Sequence, residues 1–205
     1  ISTCIILLQL VSLYRVPWKM TTSMLKLLFC FLIAYILTDF IGGIVHIYAD
    51  QNSNYNSKFG PLIAVFHLHH KKTRYTPRNI FKVYFYENGY KVWLLVYLIV
   101  LVFLQSYYTI PPYLYFILVS IGILSSIAEV SHYLCHNMSS HPIVKQLQHY
   151  RILLPQTHHK QHHIHDNINY AFLNGVTDPI LNIIAKKYSS GYKNTTDLHY
   201  KEYIT

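Results

Sequence analysis

Apolar residues in this chain gather into long unbroken runs, without the alternation of a half-buried strand. Residues 92–110, VWLLVYLIVLVFLQSYYTI, carry no charged side chain. Wound as a helix, they are long enough to cross a hydrocarbon layer of about 30 Å. Residues 113–128, YLYFILVSIGILSSIA, are nearly as long and equally uncharged, and only Pro111 and Pro112 separate the two runs, which predicts a helical hairpin. A third run, residues 27–49, has spanning length but contains Asp39 and His46. The fourth, ISTCIILLQLVSLY at 1–14, is short and begins on Ile. It reads as the end of a truncated span, because no basic stretch precedes it and no small-residue cleavage site follows, as a signal peptide would require. The expected fold is all-α: an integral membrane helical bundle of about four transmembrane helices, the first truncated.

Composition agrees with that class. The 205 residues are 52% apolar and only 12% charged, against about 25% charged in an ordinary soluble domain. Lys and Arg exceed Asp and Glu by nine, and they are unevenly placed: seven lie between residues 58 and 91, seven follow residue 129, and none lies at 110–112. The positive-inside rule then puts both long polar segments in the cytosol and the turn on the opposite side, with Arg15, Lys19 and Lys26 fitting poorly. Such charge suits anionic lipid headgroups, and no nucleic-acid motif is present. Cys4, Cys30 and Cys135 are isolated, which excludes a disulfide framework and a CxxC zinc site. The 20 tyrosines fit a general bias toward Ile, Lys, Asn and Tyr.

The polar segments are rich in histidine, with five imidazoles between positions 158 and 165. His158, His159, His162 and His163 form HHxxHH, and on a helix 158/162 and 159/163 each stand one turn apart. Two such pairs offset by one residue present adjacent donor edges for two metal ions. His132 and His136 repeat the spacing, His69 and His70 are adjacent, and His46 stands one turn before Asp50 and two turns after Asp39. All four groups are predicted at one membrane depth, on the cytosolic side. A charged Asp39 in an apolar run costs a few kcal/mol unless paired or facing a cavity. Gly42 and Gly43 fit a close helix contact. His67, His141, His149 and His165 read as neighbours of the site or surface residues, and His199 as a solvated tail. So many imidazoles beside carboxylates exceed what one zinc can use and suit two irons with open positions for dioxygen. Nitrogen-ligated iron next to a bilayer suggests oxidation of an unactivated C–H bond in a lipid chain.

The segments DFIGGIVHIYAD, FHLHH, SHYLCH and ILLPQTHHKQHH resemble, in order, the four motifs of the Kua/CarF lipid desaturase family, over about residues 35–185. The resemblance implies a membrane di-iron enzyme that uses O2 and electrons from a cytochrome b-type protein and its reductase. It places metal ligands at His46, His69, His70, His132, His136, His158, His159, His162 and His163, and candidate catalytic carboxylates at Asp50 and Asp39. It also implies a phospholipid substrate, with plasmanylethanolamine and its vinyl-ether product as the leading expectation, in the endoplasmic reticulum membrane. An acyl-lipid desaturase or hydroxylase and a non-catalytic membrane metal-binding adaptor are the alternatives. The chain departs from the family at Glu129, where Asn is usual, at His149 and Arg151, and at Asn167, which replaces a histidine. That last exchange leaves either a water held by Asn167 or a shifted ligand at His165. The domains expected are residues 1–19, a truncated membrane helix and loop; 20–190, the lipid desaturase domain; and 191–205, a polar C-terminal tail.

Overall fold

The computed structural model describes residues 1–18, 23–71, 78–86, 91–137 and 141–199. The boundary expected at residue 19, the centre of the 58–91 segment and the last six residues lie outside that set. Among the described residues the regular structure is helical: α1 Ser2–Tyr14, α2 Met24–Asp50, α3 Gly60–Lys71, α4 Ile80–Tyr86, α5 Val92–Tyr107, α6 Pro112–His136, α7 Pro142–His149, α8 Gln156–His165 and α9 Asp178–Tyr188.

Two helices are long and apolar enough to cross a membrane, α2 with 27 residues and α6 with 25, about 40 and 37 Å at 1.5 Å per residue. The Ser23 hydroxyl caps α2 by accepting from Lys26 N. Pro112 starts α6, where its missing N–H and fixed φ cost nothing. The run expected to span at 92–110 stops being helical at Tyr107, and Tyr108 is extended. A residue before proline is driven toward extended backbone, so the helix could not have run past Thr109 and Ile110 into Pro111, and it ends three residues short of it. At 16 residues α5 is only about 24 Å long, and α1 is shorter still. The expected number of four crossings thus meets two helices of full spanning length.

Helices α2 and α6 form the central pair, packed through Ala34, Ile121 and Leu124. Beside them α1 and α5 pack through Ile5, Leu94, Leu98 and Leu101. Polar groups tie the layers together: Gln9 Nε2 donates to Gly122 O and Ser126 Oγ, both at 2.8 Å. Such bonds matter most where no water competes for them. Arg15, the awkward cation of the charge pattern, spends its guanidinium on Val102 O at 3.2 Å and on the Ser106 hydroxyl. Lys26 lies 5.6 Å from the Tyr113 ring. The outer faces are apolar, with Leu7 and Leu10 on α1, Leu25, Leu28, Phe29 and Leu32 on α2, and Ile99 and Phe103 on α5 all exposed. An apolar surface this continuous is a membrane-facing one.

The two glycines of α2 separate into different roles. A Cβ on Gly43 would collide with the Leu181 side chain of α9, so Gly43 is a close-packing position as expected. A Cβ on Gly42 would meet nothing within 4 Å.

Candidate metal centre

The C-terminal ends of α2 and α6 meet α3 and α8, and there the histidines converge. One cluster takes His69 from α3, His132 and His136 from α6, and His159 and His163 from α8. Its Nε2 atoms lie at 3.1 Å for 132/159 and 159/163, 3.2 Å for 69/132 and 132/136, and 3.4 Å for 69/159. The second takes His46 and Asp50 from α2, His70 from α3 and His162 from α8. There Asp50 Oδ2 is 3.4 Å from His46 Nε2, 3.4 Å from His162 Nε2 and 3.6 Å from His70 Nε2. Neighbouring His69 and His70 serve one cluster each, and α8 divides its residues in the same way. The clusters are therefore contiguous.

Hydrogen bonds outside the clusters fix the rings. His46 Nδ1 donates to Tyr170 O at 2.9 Å, and His162 Nδ1 donates to Ile168 O at 2.7 Å. A carbonyl only accepts, so in both neutral rings Nδ1 carries the proton and Nε2 turns a lone pair inward. Two lone pairs then face the Asp50 carboxylate, with His70 Nε2 3.1 Å from that of His162. His46 Nε2 and both Asp50 oxygens are buried without a hydrogen-bond partner. Such a set is costly unless a cation sits among it. The spacing suits one: two nitrogens each about 2.1 Å from a single ion lie about 3.0 Å apart at a right angle and about 3.4 Å apart at a tetrahedral one. Both clusters pass this test for a metal held by nitrogen and oxygen donors.

Electrostatics points the same way. Burial, followed by the neighbouring imidazoles, holds His69, His159 and His163 below the ordinary imidazole range, so they are neutral donors. Burial also lowers His70, against the opposing pull of Asp50. Neutral imidazole is the metal-binding form.

Asp39, expected as a candidate catalytic carboxylate, bonds a loop and lies in neither cluster. Its Oδ1 accepts from the backbone N–H of Leu173, Asn174 and Gly175 at 3.1, 2.9 and 3.2 Å. Its Oδ2 accepts from Thr177 N at 3.1 Å and Thr177 Oγ1 at 2.7 Å. A buried carboxylate gathers a turn of converging amides, the usual way a loop binds an anion. That loop continues from Ile168 and Tyr170, whose carbonyls orient His162 and His46.

His158 is not in either cluster; its Nε2 lies 2.7 Å from Asp178 Oδ2, at the start of α9. One position before His159 is a turn of about 100° on the helix, enough to face α9 instead of α3 and α6. Asn167 bonds Ala185 O and Ser189 O and accepts from Tyr170 Oη, while His165 is exposed at the end of α8. His165 thus lies outside both clusters, and the Asn167 amide joins the end of α8 to α9. Glu129 pairs with Lys91 at 3.2 Å and comes within 4.0 Å of His132 Nδ1.

Several contributors were hidden in the sequence. His67 is fully buried with Nδ1 2.6 Å from Tyr55 Oη, and burial beside Asp197 raises the Tyr55 phenol to about 12. The segment read as a polar tail folds back over the site. Tyr192 stacks on His70 with centroids 3.5 Å apart, the Thr196 hydroxyl donates to Asp50 O, and Lys193 Nζ reaches His163 O at 2.9 Å. Gly191, at φ +80, begins this strap where any Cβ would strike Asp166. His199 is exposed, as expected, yet stacks on Tyr55.

Among the described residues, regular structure that is all helical, two membrane-length helices and paired histidine clusters able to hold metal mark a histidine-box membrane protein. The lipid desaturase domain model matches residues 35–186, and the chain belongs to that family, consistent with the Kua/CarF type. No curated protein and no solved structure matches it.

Proposed function

We propose that this protein is a membrane di-iron desaturase that converts plasmanylethanolamine, an alkyl ether phospholipid, into the vinyl ether plasmenylethanolamine. The observation that carries the reading is the pair of contiguous buried donor clusters in a lipid desaturase chain. The reaction removes two hydrogens from adjacent carbons: R–CH2–CH2–R′ with O2, two electrons and two protons gives R–CH=CH–R′ and two waters. Bound iron supplies the dioxygen chemistry that no side chain provides. The chain supplies position. Eight imidazoles hold the metals without adding negative charge, and Asp50 gives the second cluster its one carboxylate. Tyr170 and Ile168 carbonyls fix two of the rings. Phe172, with ring centroids 4.6 Å from His46 and 4.1 Å from His132, forms a dry wall against both clusters. Electrons come from a cytochrome b-type protein and its reductase.

Expression in cells that lack plasmalogens, followed by lipid mass spectrometry, tests the substrate. Vinyl ether lipid should appear. A new acyl double bond or hydroxyl group would replace the reading with the acyl-lipid alternative, and no product together with no oxygen consumption would leave a metal-binding adaptor. On this reading the enzyme sits in the endoplasmic reticulum membrane with its histidines toward the cytosol, and α1 and α5, shorter than a full span, complete four crossings with α2 and α6. A tag in the 108–111 turn should then be reachable only from the lumen and a C-terminal tag only from the cytosol. Reaching both from one side would overturn that topology.

A further inference from the structure

A narrow, half-open apolar pocket lies beside the metal centre. Thr38, Gly42 and Val45 of α2 line it together with Ser125 and Ala128 of α6. Three of its polar lining residues, Thr38, Ser125 and Lys91, are satisfied elsewhere, and Trp93 adds an indole ring. Thr38 Oγ1 donates to Ala34 O at 2.7 Å and Ser125 Oγ to Ile121 O at 2.8 Å, each within its own helix. Lys91, also on the wall, sends its amine to Ser125 O at 2.6 Å and to Glu129. What these residues offer the pocket is methyl and methylene surface, suited to hydrocarbon and unsuited to a headgroup or ordered water. Phe66 and Phe172 close another wall, and their rings also touch the histidines: Phe66 lies 4.9 Å from His46, and Phe172 contacts His46 and His132, one from each cluster. The pocket and the metal centre thus share a wall two rings thick at most.

Gly42 stands out among the lining residues. A Cβ there meets nothing within 4 Å, whereas one on its neighbour Gly43 would run into Leu181. A glycine inside a membrane-length helix whose missing Cβ would point into open space leaves that space unfilled.

We infer that this pocket receives the unbranched hydrocarbon chain of a lipid and that Gly42 sets how deeply the chain enters. Gly42 is then a specificity-determining position: side chains added there shorten the pocket and shift which carbons lie against the Phe66 and Phe172 wall. The reading of the chain as the one that is oxidised rests on the desaturase function proposed above; the occupancy of the pocket does not.

The test uses the full-length protein in bilayers with a phospholipid carrying a diazirine near the end of one acyl or alkyl chain. Photolysis should label Phe66, Phe172 or Val45 in the unmodified chain. Gly42→Phe should lower that labelling about tenfold or more, because a hydrocarbon pocket discriminates by that much per methylene-sized misfit. Its metal content should be unchanged. Ile36→Phe, on the outward face of α2, serves as the control and should label normally. If Gly42→Phe is not recovered folded, Gly42→Ala and Gly42→Leu give the same test in graded form, with labelling falling as the side chain grows. Labelling unaffected by every Gly42 variant, or absent from these residues in the unmodified chain, overturns the inference. Labelling that responds to Gly42 without a new double bond in any lipid supports the pocket and sinks the desaturase reading. Product formed normally by Gly42→Phe sinks the pocket alone.

Discussion

Anaerobic loading with iron should give about two ions per chain, one for each cluster, and His159→Ala should lose most of the metal and all measurable product. His159 has the largest expected effect because it is central: its Nε2 lies 3.1 Å from those of His132 and His163 and 3.4 Å from that of His69. Removing it deletes a donor and leaves a buried void among lone pairs that no water-sized dipole neutralises as an ion does. His158→Ala is the informative neighbour. It has the same residue type, lies in the same motif and is one position away, but its partner is Asp178. That variant should keep its metal and instead lose stability by about 1–3 kcal/mol, since Asp178 keeps its burial and loses a bond. Elemental analysis and thermal unfolding of the two variants side by side separate the roles. Equal loss of metal from both would place His158 among the ligands. Stoichiometric zinc with no iron taken up would overturn the di-iron reading.

The pair of variants also marks where sequence reasoning stops. One-turn spacing is a backbone property, so His132/His136, His159/His163 and His46/Asp50 could be paired by counting. Counting equally pairs 158 with 162. Only the packing of α8 against α3 and α6 decides that His162 joins the second cluster while His158 turns to α9. Adjacent His69 and His70 carried no hint that they part between clusters. The length of α5 was misjudged for a local reason, the extended residues before Pro111, which apolarity does not register. The strap through Tyr192 and Thr196 was illegible for another. Its residues are polar or aromatic, one of its tyrosines is lost among 20, and its contacts with His70 and Asp50 span well over a hundred positions. The pocket at Gly42 was hidden because a Gly-Gly pair looks the same whether it packs or leaves space.

Asp50→Asn and Asp39→Asn should fail in different ways. Both aspartates are fully buried on α2, and sequence spacing puts both on the His46 side of the helix, Asp50 one turn away and Asp39 two. Asp50 turns Oδ2 toward the three imidazoles of the second cluster, and both of its oxygens are buried without a hydrogen-bond partner. An asparagine of the same shape keeps one weak oxygen donor and puts an NH2 group where a cation would sit. Asp50→Asn should therefore express and fold normally, retain about one metal ion, and lose more than the 10- to 100-fold in activity typical of a group that only supports a ligand. Asp39 has no such vacancy. Its five bonds come from the turn at 173–177, and an amide presents a donor to at least one of those N–H or O–H groups. With charged hydrogen bonds contributing about 1.5–3 kcal/mol each, Asp39→Asn should lower unfolding stability on the order of 3 kcal/mol. The loss at the metal centre follows indirectly, as the loop bearing the Tyr170 and Ile168 carbonyls loosens and His46 and His162 lose their orientation. Thr177→Val, which removes only the hydroxyl bond to Asp39, should show a smaller version of the same defect, about 1 kcal/mol. Metal content and unfolding temperature measured on all three variants decide the matter. A fully stable Asp39→Asn would refute the loop anchor, and an Asp50→Asn with full metal would remove the carboxylate from the proposed ligand set.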